Sequence, residues 1–409
     1  MFSVWKQLNG SQRAAFTASF LGWTLDAFDY FILVWVVKAI AHDFRAQVSD
    51  VTYALFLTLA MRPVGAFIFG WLADRFGRRP ILMLDVLLFS AMEAASAVAP
   101  NLRTLLVMRA LFGIAMGGEW GIGASLVMES IPPGTRGVVS GWLQEGYAVG
   151  YLLAAGAYGL LFSHIGWRGM FLLGIVPAGL ALYIRLGVKE SPAWERMRAE
   201  RVTKGVGSSL APMLKALTRN ARLLVIVVLL MAAFNFYSHG TQDLFPTFLE
   251  TQRHLSHSLT SLLGIIASVG AIAGGIAFGA WSQRIGRRRA IIIAVLLTLP
   301  LIPLWVGTTS LVAMGFGAFL IQFSVQGAWG VIPAHLNELS PEEVRGTFPG
   351  FAYQLGNLLA AQTSVLQAKF AEAHGNNYAW ALAGVAGVGA VIICLITAFG
   401  PERRDAVLT

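Results

Sequence analysis

The chain of 409 residues is 56% hydrophobic and 12% charged, with a mean hydropathy of +0.66. Soluble domains carry about 25% charged residues, so this composition excludes an ordinary soluble domain and predicts a membrane protein. The formal net charge of +9 does not predict a nucleic-acid-binding protein, because the basic residues are spread over alternate loops and do not form one basic surface.

Twelve apolar segments are long enough to cross a membrane, since about 20 residues span the roughly 30 Å of hydrocarbon. We number them spans 1 to 12; in order they lie near residues 14–37, 51–73, 80–99, 102–128, 137–163, 167–187, 221–249, 258–282, 289–307, 311–335, 347–372 and 378–400. Span 1 lacks a small-residue cleavage site, so we interpret it as a membrane span and not as a signal peptide. The expected fold is an all-α bundle of twelve membrane helices.

The loops on the two sides of the predicted bundle differ in charge. One side holds the basic residues Arg75, Arg78, Arg79, Arg136, those of the stretch 189–222, Arg284, Arg287, Arg288, Arg289, Arg345, Arg403 and Arg404. The other side holds Lys38, Arg45, Arg103, Arg168, Arg253 and Lys369. The positive-inside rule places the more basic loops and both termini in the cytoplasm. We expect a monomeric, multi-pass protein of the cell inner membrane.

Span 1 carries two acids, Asp26 and Asp29, one helical turn apart on one face. Two carboxylates in a low-dielectric site cannot both ionise cheaply, so one of them is expected to hold a proton and to serve in proton coupling. Pairing with a cation is an open alternative. Glu145 in span 5 is a further candidate for proton coupling.

Few cations lie within the spans: Arg62 in span 2, Arg109 in span 4, and His239 in span 7 when it is protonated. A carboxylate ligand needs such a cation or N–H donors. Arg109 shares a helix face with glycines at steps of four residues. Two interpretations of Arg109 stay open: it binds substrate, or it packs against the glycine groove or an acid such as Glu145.

The sequence repeats itself after 209 residues, the shift from Arg136 to Arg345. The segment 70–80, Gly-Trp-Leu-Ala-Asp-Arg-Phe-Gly-Arg-Arg-Pro, recurs at 279–289 as Gly-Ala-Trp-Ser-Gln-Arg-Ile-Gly-Arg-Arg-Arg, and Glu129 recurs as Glu338. The repeat predicts two six-span halves, residues 1–187 and 221–409, joined by a polar cytoplasmic linker at 188–220. Parallel repeats of this kind place the substrate site between the halves near the membrane midplane.

Residues of the repeated loops are predicted to gate the cytoplasmic side. Asp74 can lock this side by meeting the end of span 11 or an arginine, whereas Gln283 weakens the equivalent lock in the second half. Glu129 with Arg136, and their repeats, are expected to form charge networks that break when the halves rock. The alternative is that the arginines only set the orientation. The gating set is Asp74, Arg75, Arg78, Glu129, Arg136, Arg284, Glu338 and Arg345.

Span 7 carries five polar residues on one helix face, the span-7 stripe: Asn235, Ser238, His239, Gln242 and Asp243. This face must look into a protein interior or a wet cavity, because a charged side chain at the bilayer centre costs roughly 2.5–3.5 kcal/mol. Asp243 favours the imidazolium form of His239, one turn before it, and an unperturbed histidine titrates at about pH 6.5. The pair is therefore predicted to take part in proton coupling. No second histidine or cysteine is nearby in sequence, so no metal site is expected.

The chain resembles the major facilitator superfamily over nearly its whole length. The resemblance is carried by the repeated loop segments, by the Arg-x-x-x-Gly-x-x-x-Gly pattern that begins at Arg109, and by Glu190-Ser-Pro after span 6, which is similar to sugar-porter members. Lys189 stands where a proline would complete that last signature. The resemblance implies two six-helix bundles that work by alternating access.

The pattern Asn-x-x-Ser-His-x-Thr-Gln-Asp at 235–243 resembles the hallmark of the Jen-type lactate and carboxylate permeases, in the sialate:proton symporter family. This implies uptake of a short monocarboxylate, such as lactate or pyruvate, with one proton. Gln354 and Asn357 in span 11 resemble that group's polar pair, and Tyr147 lies in the half facing them. The expected substrate-binding residues are Arg109, Tyr147, Asn235, His239, Gln242, Gln354 and Asn357. The expected proton-coupling residues are Asp26, Asp29, His239, Asp243 and Glu145.

Sialic acid or another sugar acid is the nearest alternative substrate. A drug:proton antiporter is disfavoured, because span 5 lacks the glycine-proline signature of that group. A non-transporting sensor would need a larger signalling loop or tail, and no metal-ligand pair or nucleophile motif predicts an enzyme. We expect no cofactor; the expected partners are an organic acid, protons and the lipid bilayer.

Overall fold

The computed structural model describes residues 8–130, 145–190, 218–341 and 348–402, together with residues 5, 139, 142, 143 and 195. All regular structure within these ranges is helical, as predicted. The longer helices are Gly10–Asp43, Val48–Phe76, Arg78–Ala97, Leu102–Ser130, Gly146–Leu172, Ala178–Gly187, Ala221–Gln242, Phe245–Thr251, His257–Ile285, Arg287–Ile302, Leu311–Trp329, Ile332–Leu339, Phe348–Ala360, Thr363–Ala373 and Tyr378–Phe399. Each of the twelve predicted spans overlaps at least one of them. Nine helical stretches in the described part are long and apolar enough to cross a membrane.

The spans form two bundles. The buried apolar side chains fall into one large cluster from spans 1–6, joined by Ala361 of span 11, and a second from spans 7–12. The bundles meet where span 2 packs against span 11 and span 5 packs against span 8. We call the end of the molecule where the first helix begins, at Gly10, and the last one ends, at Phe399, the termini face. The opposite end, which includes Asp43, is the distal face.

Span 7 is not one helix, although the sequence pattern predicts a continuous span over 221–249. Its first helix ends at Gln242 and a second begins at Phe245. Pro246 explains the break, because it has no N–H to donate to the carbonyl of Gln242 and its ring clashes with that carbonyl. The break leaves Asp243 at the helix end, where its side chain reaches spans 1 and 11.

Spans 5 and 6 are joined by a single residue at the distal face. Gly166 has a φ of 62° inside the helical stretch Gly146–Leu172, a left-handed conformation that costs glycine little. Span 5 therefore ends before Gly166 and span 6 starts directly after it, through a 3₁₀ turn at Leu173–Ile175 and the helix Ala178–Gly187.

Glycines bring spans 2 and 4 into backbone contact. A Cβ added to Gly113 would collide with the carbonyl oxygen of Thr58, and one added to Gly117 would collide with that of Arg62. Spans 8 and 10 touch in the same way at Gly270 in the other half. The four-residue glycine spacing of span 4 therefore serves close helix packing.

Gly113→Val is expected to destabilise the N-terminal bundle, because forcing extra methyl groups into packed backbone costs about 1–3 kcal/mol. Gly156→Val is the matched control, since nothing lies within 4 Å of its added Cβ. The measurement is the fraction of monodisperse protein that survives heating in detergent, followed by size-exclusion chromatography. Equal losses for the two variants would contradict the packing role of Gly113.

Candidate functional site

The span-7 stripe is buried between the two halves. Its members are from 0% exposed, for Asp243, to 6% exposed, for Gln242. Their partners come from span 1 (Tyr30), span 10 (Gln322) and span 11 (Ser364). The polar face found in the sequence therefore looks into the protein and touches both halves.

Asp243 receives hydrogen bonds from three directions. Tyr30 donates its hydroxyl proton to Oδ2 across 3.1 Å, and Ser364 donates to the same oxygen across 2.7 Å. Nδ1 of His239 lies 3.2 Å from Oδ1 of Asp243 and 3.2 Å from the Tyr30 hydroxyl oxygen. We call these four residues the Asp243 cluster. Tyr30 belongs to the N-terminal half and the other three to the C-terminal half, so the cluster joins the halves.

A chain of hydrogen bonds fixes the orientation of the Gln242 amide. The Thr241 hydroxyl donates to the backbone carbonyl of Ser238 across 3.0 Å, so its oxygen accepts from Nε2 of Gln322 across 3.3 Å. Oε1 of Gln322 then accepts from Nε2 of Gln242 across 2.9 Å. Oε1 of Gln242 is left buried without a hydrogen-bond partner in the described part of the chain. Such an acceptor is costly unless a ligand supplies a donor.

A narrow cleft lies beside Gln242 between the halves. We call it the central cleft; it is lined by Tyr147, Ala148, Tyr151, Gln242, Ala267, Ser268, Ala271, Gln322 and Gln326. These lining residues offer hydroxyl and amide groups, and none of them is charged. The cleft therefore suits the neutral polar part of a ligand, while a charged part needs a group next to the cleft.

Arg62 and Asp26 supply a buried ion pair in that position. Nη2 of Arg62 lies 3.2 Å from Oδ2 of Asp26, and the two side chains are 2% and 0% exposed. The guanidinium carbon lies 5.8 Å from the ring centre of Trp23, and that ring lies 5.8 Å from the ring of Tyr147, which lines the central cleft. Asp26 thus pairs with a cation, the alternative that the sequence left open.

Two further acids surround this pair. Glu119 of span 4 lies against Gly22, one turn before Asp26, and Asp85 of span 3 faces Glu119. The carboxyl oxygens of Glu119 and Asp85 are buried without hydrogen-bond partners among the described residues. Three carboxyl groups here share the guanidinium of Arg62, so they cannot all ionise cheaply. Asp85 was not predicted, because a single acid in an apolar span carries no periodic signal.

Arg109 is paired inside the N-terminal half. Its Nη1 lies 2.7 Å from Oε2 of Glu93, both side chains are fully buried, and Nη2 donates to Oγ of Ser96 across 2.5 Å. The acid suggested from the sequence, Glu145, was wrong; the partner is Glu93, one span away. Neither Arg109 nor Arg62 lines the central cleft. Arg62 is connected to the lining residue Tyr147 through Trp23, whereas Arg109 packs against Phe112 and Phe171 within the N-terminal half.

Two predicted proton-coupling acids lie apart from the central cleft. Asp29 faces the Arg109–Glu93 pair, and its carboxyl oxygens have no hydrogen-bond partner in the part of the chain that is described. Glu145, at the start of span 5, lies against Gly275 of span 8 towards the termini face. Neither lines the cleft, and a proton-coupling role for either stays a prediction.

The predicted amides of spans 7 and 11 are held by local hydrogen bonds. Asn235 donates to the backbone carbonyl of Met231 across 2.8 Å, and Asn357 donates to Oε1 of Gln354 across 3.3 Å. Oδ1 of Asn357 is buried without a partner among the described residues. Asn235, Gln354 and Asn357 lie near members of the Asp243 cluster in the sequence. Of the predicted substrate-binding residues, however, Tyr147 and Gln242 are the ones that line the central cleft.

The structure describes only part of the predicted cytoplasmic gate. The structure does not describe Arg136 and Arg345, or the side chains of Asp74, Arg75 and Glu129. Arg284 is exposed. Glu338, expected beside Arg345, accepts hydrogen bonds from Nε and Nη2 of Arg287 at 3.2 and 2.9 Å. Arg287 was not among the predicted gating residues, although the 209-residue repeat marks it as the counterpart of Arg78.

In each half, an acid that follows the last span accepts hydrogen bonds from the repeated loop segment. Glu190, after span 6, accepts from the backbone N–H groups of Arg78 and Arg79 at 3.0 and 3.1 Å. Glu402, after span 12, accepts from the backbone N–H of Arg287 at 2.9 Å. A carboxylate at a helix start satisfies otherwise unpaired N–H groups and matches the helix dipole. Arg78 is thus positioned by its backbone, and its Nη1 donates to a neighbouring carbonyl.

Polar residues close the distal face between the halves. Glu250, at the end of span 7, accepts a hydrogen bond from the hydroxyl of Tyr158 in span 5, and Nδ1 of His257 lies 2.8 Å from both groups. Nζ of Lys38 donates to the backbone carbonyl of Glu250 across 3.2 Å. We call these four residues the distal latch. They join spans 1 and 5 to spans 7 and 8.

Glu250→Gln is expected to loosen the distal face, because hydrogen bonds to a carboxylate are stronger than those to an amide. Labelling of Ala155→Cys by an impermeant maleimide, in a Cys394→Ala background, should quicken about tenfold. Asp43→Asn is the control: this acid is at the same face but bonds within one half to Arg168, whose hydrogen bond lowers the pKa of Asp43. Equal labelling rates in both variants would contradict the latch.

Comparison with known proteins agrees with this architecture. The profile of the Major Facilitator Superfamily matches residues 19–360 and 244–408. The chain belongs to this family. It is similar to the xylose transporter XylE from E. coli in a partially occluded inward-open conformation, with a TM-score of 0.78, 19% identity, and coverage of 98% of this chain and 100% of that one. The predicted fold of two six-helix bundles is therefore confirmed.

Two relatives are named as transporters of acids. The sialic acid transporter NanX of Escherichia coli is 29% identical over 87% of this chain and 87% of its own length. A carboxylic acid transporter protein homolog of Saccharomyces cerevisiae is 28% identical over 87% of this chain and 61% of its own length. The resemblance stated from the sequence is therefore confirmed: the chain is a membrane transporter of this superfamily and not an enzyme.

Proposed function

We propose that this transporter imports a small monocarboxylate, such as lactate, together with one proton by alternating access. The observation that best supports this is the meeting of the Asp243 cluster, the Arg62–Asp26 pair and the central cleft at the junction of the halves. A rocking carrier binds its substrate at such a junction. In this proposal the termini face is cytoplasmic, the membrane is the cell inner membrane, and the working unit is a monomer.

Arg62 is the group that we propose holds the substrate carboxylate. A guanidinium binds a carboxylate through two parallel hydrogen bonds, and in the present structure Asp26 occupies this charge. Protonation of Asp26 removes its negative charge and makes the guanidinium available to the substrate. The substrate carboxylate then replaces the Asp26 carboxylate as the partner of Arg62, so the charge of the guanidinium stays balanced.

The unpaired oxygen of Gln242 supports a substrate that brings a hydrogen-bond donor. A 2-hydroxy acid such as lactate has a hydroxyl beside its carboxylate, whereas a keto acid such as pyruvate offers only acceptors. We expect lactate to compete about tenfold better than pyruvate, since a buried acceptor left unpaired costs about 1–3 kcal/mol. The preference should disappear in Gln242→Leu, which removes the acceptor, and its persistence there would contradict this assignment.

Uptake of small organic acids into proteoliposomes under an imposed pH gradient tests the proposal. A monoanion and one proton carry no net charge, so we expect accumulation that follows the pH difference without an electrical current. His239→Ala, which removes one donor from the Asp243 cluster, should lower accumulation. A sustained current at fixed pH would contradict one-to-one coupling, and a lack of uptake for every acid tested would refute the proposal.

Sialic acid or another sugar acid is the second candidate. The central cleft favours it in one respect, because the hydroxyl and amide groups of Tyr147, Tyr151 and Gln326 can bind several hydroxyls of a larger acid. Counterflow competition separates the two candidates: liposomes loaded with labelled lactate are challenged with lactate, pyruvate or sialic acid from outside. A substrate that drives counterflow is transported, whereas a compound that only blocks it is bound.

A further inference from the structure

We propose that Tyr30 is a positioning residue that makes the balance between the distal-closed and distal-open forms depend on the protonation of Asp243. This role rests on the proposed proton coupling and names a residue through which coupling is transmitted. Tyr30 lies in span 1 and gave no signal in the sequence, because a tyrosine in an apolar helix looks like an ordinary core residue.

The contacts of Tyr30 cross from one half to the other. Its hydroxyl oxygen lies 3.1 Å from Oδ2 of Asp243 and 3.2 Å from Nδ1 of His239, and the side chain is 1% exposed. The distal latch and the Ser261 hydroxyl, which donates to the carbonyl of Ala155, join the halves nearer the distal face. Among the hydrogen bonds between the halves in the described ranges, that of Tyr30 reaches the predicted proton site.

These contacts are all satisfied when Asp243 is ionised and Nδ1 of His239 carries a hydrogen. In this protonation state, Tyr30 gives its one hydroxyl proton to Oδ2 of Asp243 while its oxygen accepts from Nδ1–H of His239. Ser364 also donates to Oδ2, and His239 faces Oδ1. When Asp243 takes a proton, it becomes a weaker acceptor and needs an acceptor of its own. The charge-assisted bond to Tyr30 is then replaced by one of about half its strength.

Weakening of the hydrogen bond between Tyr30 and Asp243 favours one of the two forms of the protein. The bond between span 1 and span 7 exists in the distal-closed form described here, so it stabilises that form when Asp243 is ionised. By linkage, protonation of Asp243 shifts the balance towards the distal-open form. The titratable or charged groups that face Tyr30 are Arg62 from span 2, Tyr147 from span 5, and His239 and Asp243 from span 7.

Two variants separate this role from simple loss of a hydrogen bond. Tyr30→Phe and Ser364→Ala each remove one hydroxyl donor to Oδ2 of Asp243. Only the first donor comes from the other half. The ring of Tyr30 packs edge-on against Phe31 and His239, and phenylalanine keeps these contacts. Ser364 stays within the half of Asp243 in both forms, so its loss changes proton affinity in both.

The experiment measures how fast an impermeant maleimide labels Ala155→Cys from the distal side, in a Cys394→Ala background, between pH 5 and pH 8 and without substrate. Because maleimide reacts with the thiolate, which becomes scarcer as the pH falls, each rate is divided by that of a small free thiol at the same pH. In the parent protein, this normalised labelling rate should rise as the pH falls. In Tyr30→Phe the ratio of the rates at the two ends of this range should shrink about fivefold. In Ser364→Ala the ratio should stay the same while the midpoint moves. The residues of the distal latch are the same in all three proteins, so any effect of pH on the latch is the same in each.

Asp243→Asn completes a double-mutant cycle. If Tyr30 acts through Asp243, Tyr30→Phe has no further effect on the pH ratio in the Asp243→Asn background. A parent-like ratio in Tyr30→Phe, additive effects in the cycle, or an equal loss in Ser364→Ala would each overturn the role of Tyr30. Lactate counterflow by the parent protein is measured separately; its absence would refute the proposed function, whereas the labelling result decides the role of Tyr30.

Discussion

Arg62→Gln is expected to abolish uptake of organic acids. Trp23 connects the guanidinium of Arg62 to Tyr147 beside the central cleft, and the residues that line the cleft carry no charge. Without Arg62, a substrate carboxylate loses its proposed cation and Asp26 becomes an unpaired buried charge. Breaking a buried pair also destabilises the fold by about 3–5 kcal/mol, so uptake is compared between amounts of folded protein. The measurement is initial uptake of labelled lactate into proteoliposomes at matched protein content.

A pair of double variants separates binding from folding. Arg62→Gln with Asp26→Asn removes both charges of one pair, and Arg109→Gln with Glu93→Gln removes both charges of the other. Replacing a buried pair as a whole costs far less than breaking it, so both double variants should give folded protein. We expect the Arg62 double variant to be inactive and the Arg109 double variant to retain uptake. Uptake by the Arg62 double variant would contradict its role as carboxylate ligand.

The two arginines show what the sequence can and cannot predict. Both Arg62 and Arg109 are recognisable as costly cations within apolar spans. Arg109 looked the better ligand because it lies on a glycine-rich face, but glycines on that face serve packing against span 2. Which arginine is connected to the cleft depends on the position of Glu93 and Asp26 on neighbouring spans. No periodicity within one helix contains that information.

The span-7 stripe was predictable for the opposite reason. Its five residues recur at helical spacing in an apolar segment, so the burial of one polar face follows from the cost of exposing it to lipid. The partners across the interface were not predictable: Tyr30, Gln322 and Ser364 are single residues whose side chains meet the stripe only after the halves pack together.

The end of the first helix of span 7 was predictable only in part. Pro246 is visible in the sequence and forbids the helical bond to Gln242, yet the hydropathy of the segment predicts an unbroken span. In the membrane, neighbouring groups can satisfy the backbone at such a break. Here Asp243 keeps helical backbone angles at the end of the first helix, so it stays on the face of the span-7 stripe and meets Tyr30 and Ser364.

Asp243→Asn is expected to abolish accumulation of the acid while leaving exchange possible. With one proton per monoanion, a pH difference of one unit can support an accumulation of about tenfold. An amide cannot take up and release a proton in this range, so the variant should equilibrate lactate to an accumulation of about one. The Asp243 cluster offers three donors to this side chain, and the amide will face at least one of them, which costs about 1–3 kcal/mol.

The comparison with Asp26→Asn decides which acid carries the proton. If Asp243 is the carrier, its variant loses accumulation and still catalyses counterflow, which needs no net proton movement. Asp26→Asn should instead weaken the dependence of lactate affinity on pH, because Arg62 is then available to the substrate at every pH. The opposite result would be tenfold accumulation of lactate by Asp243→Asn and no accumulation by Asp26→Asn. That result would assign the coupling proton to Asp26 and leave Asp243 only as part of the contact between the halves.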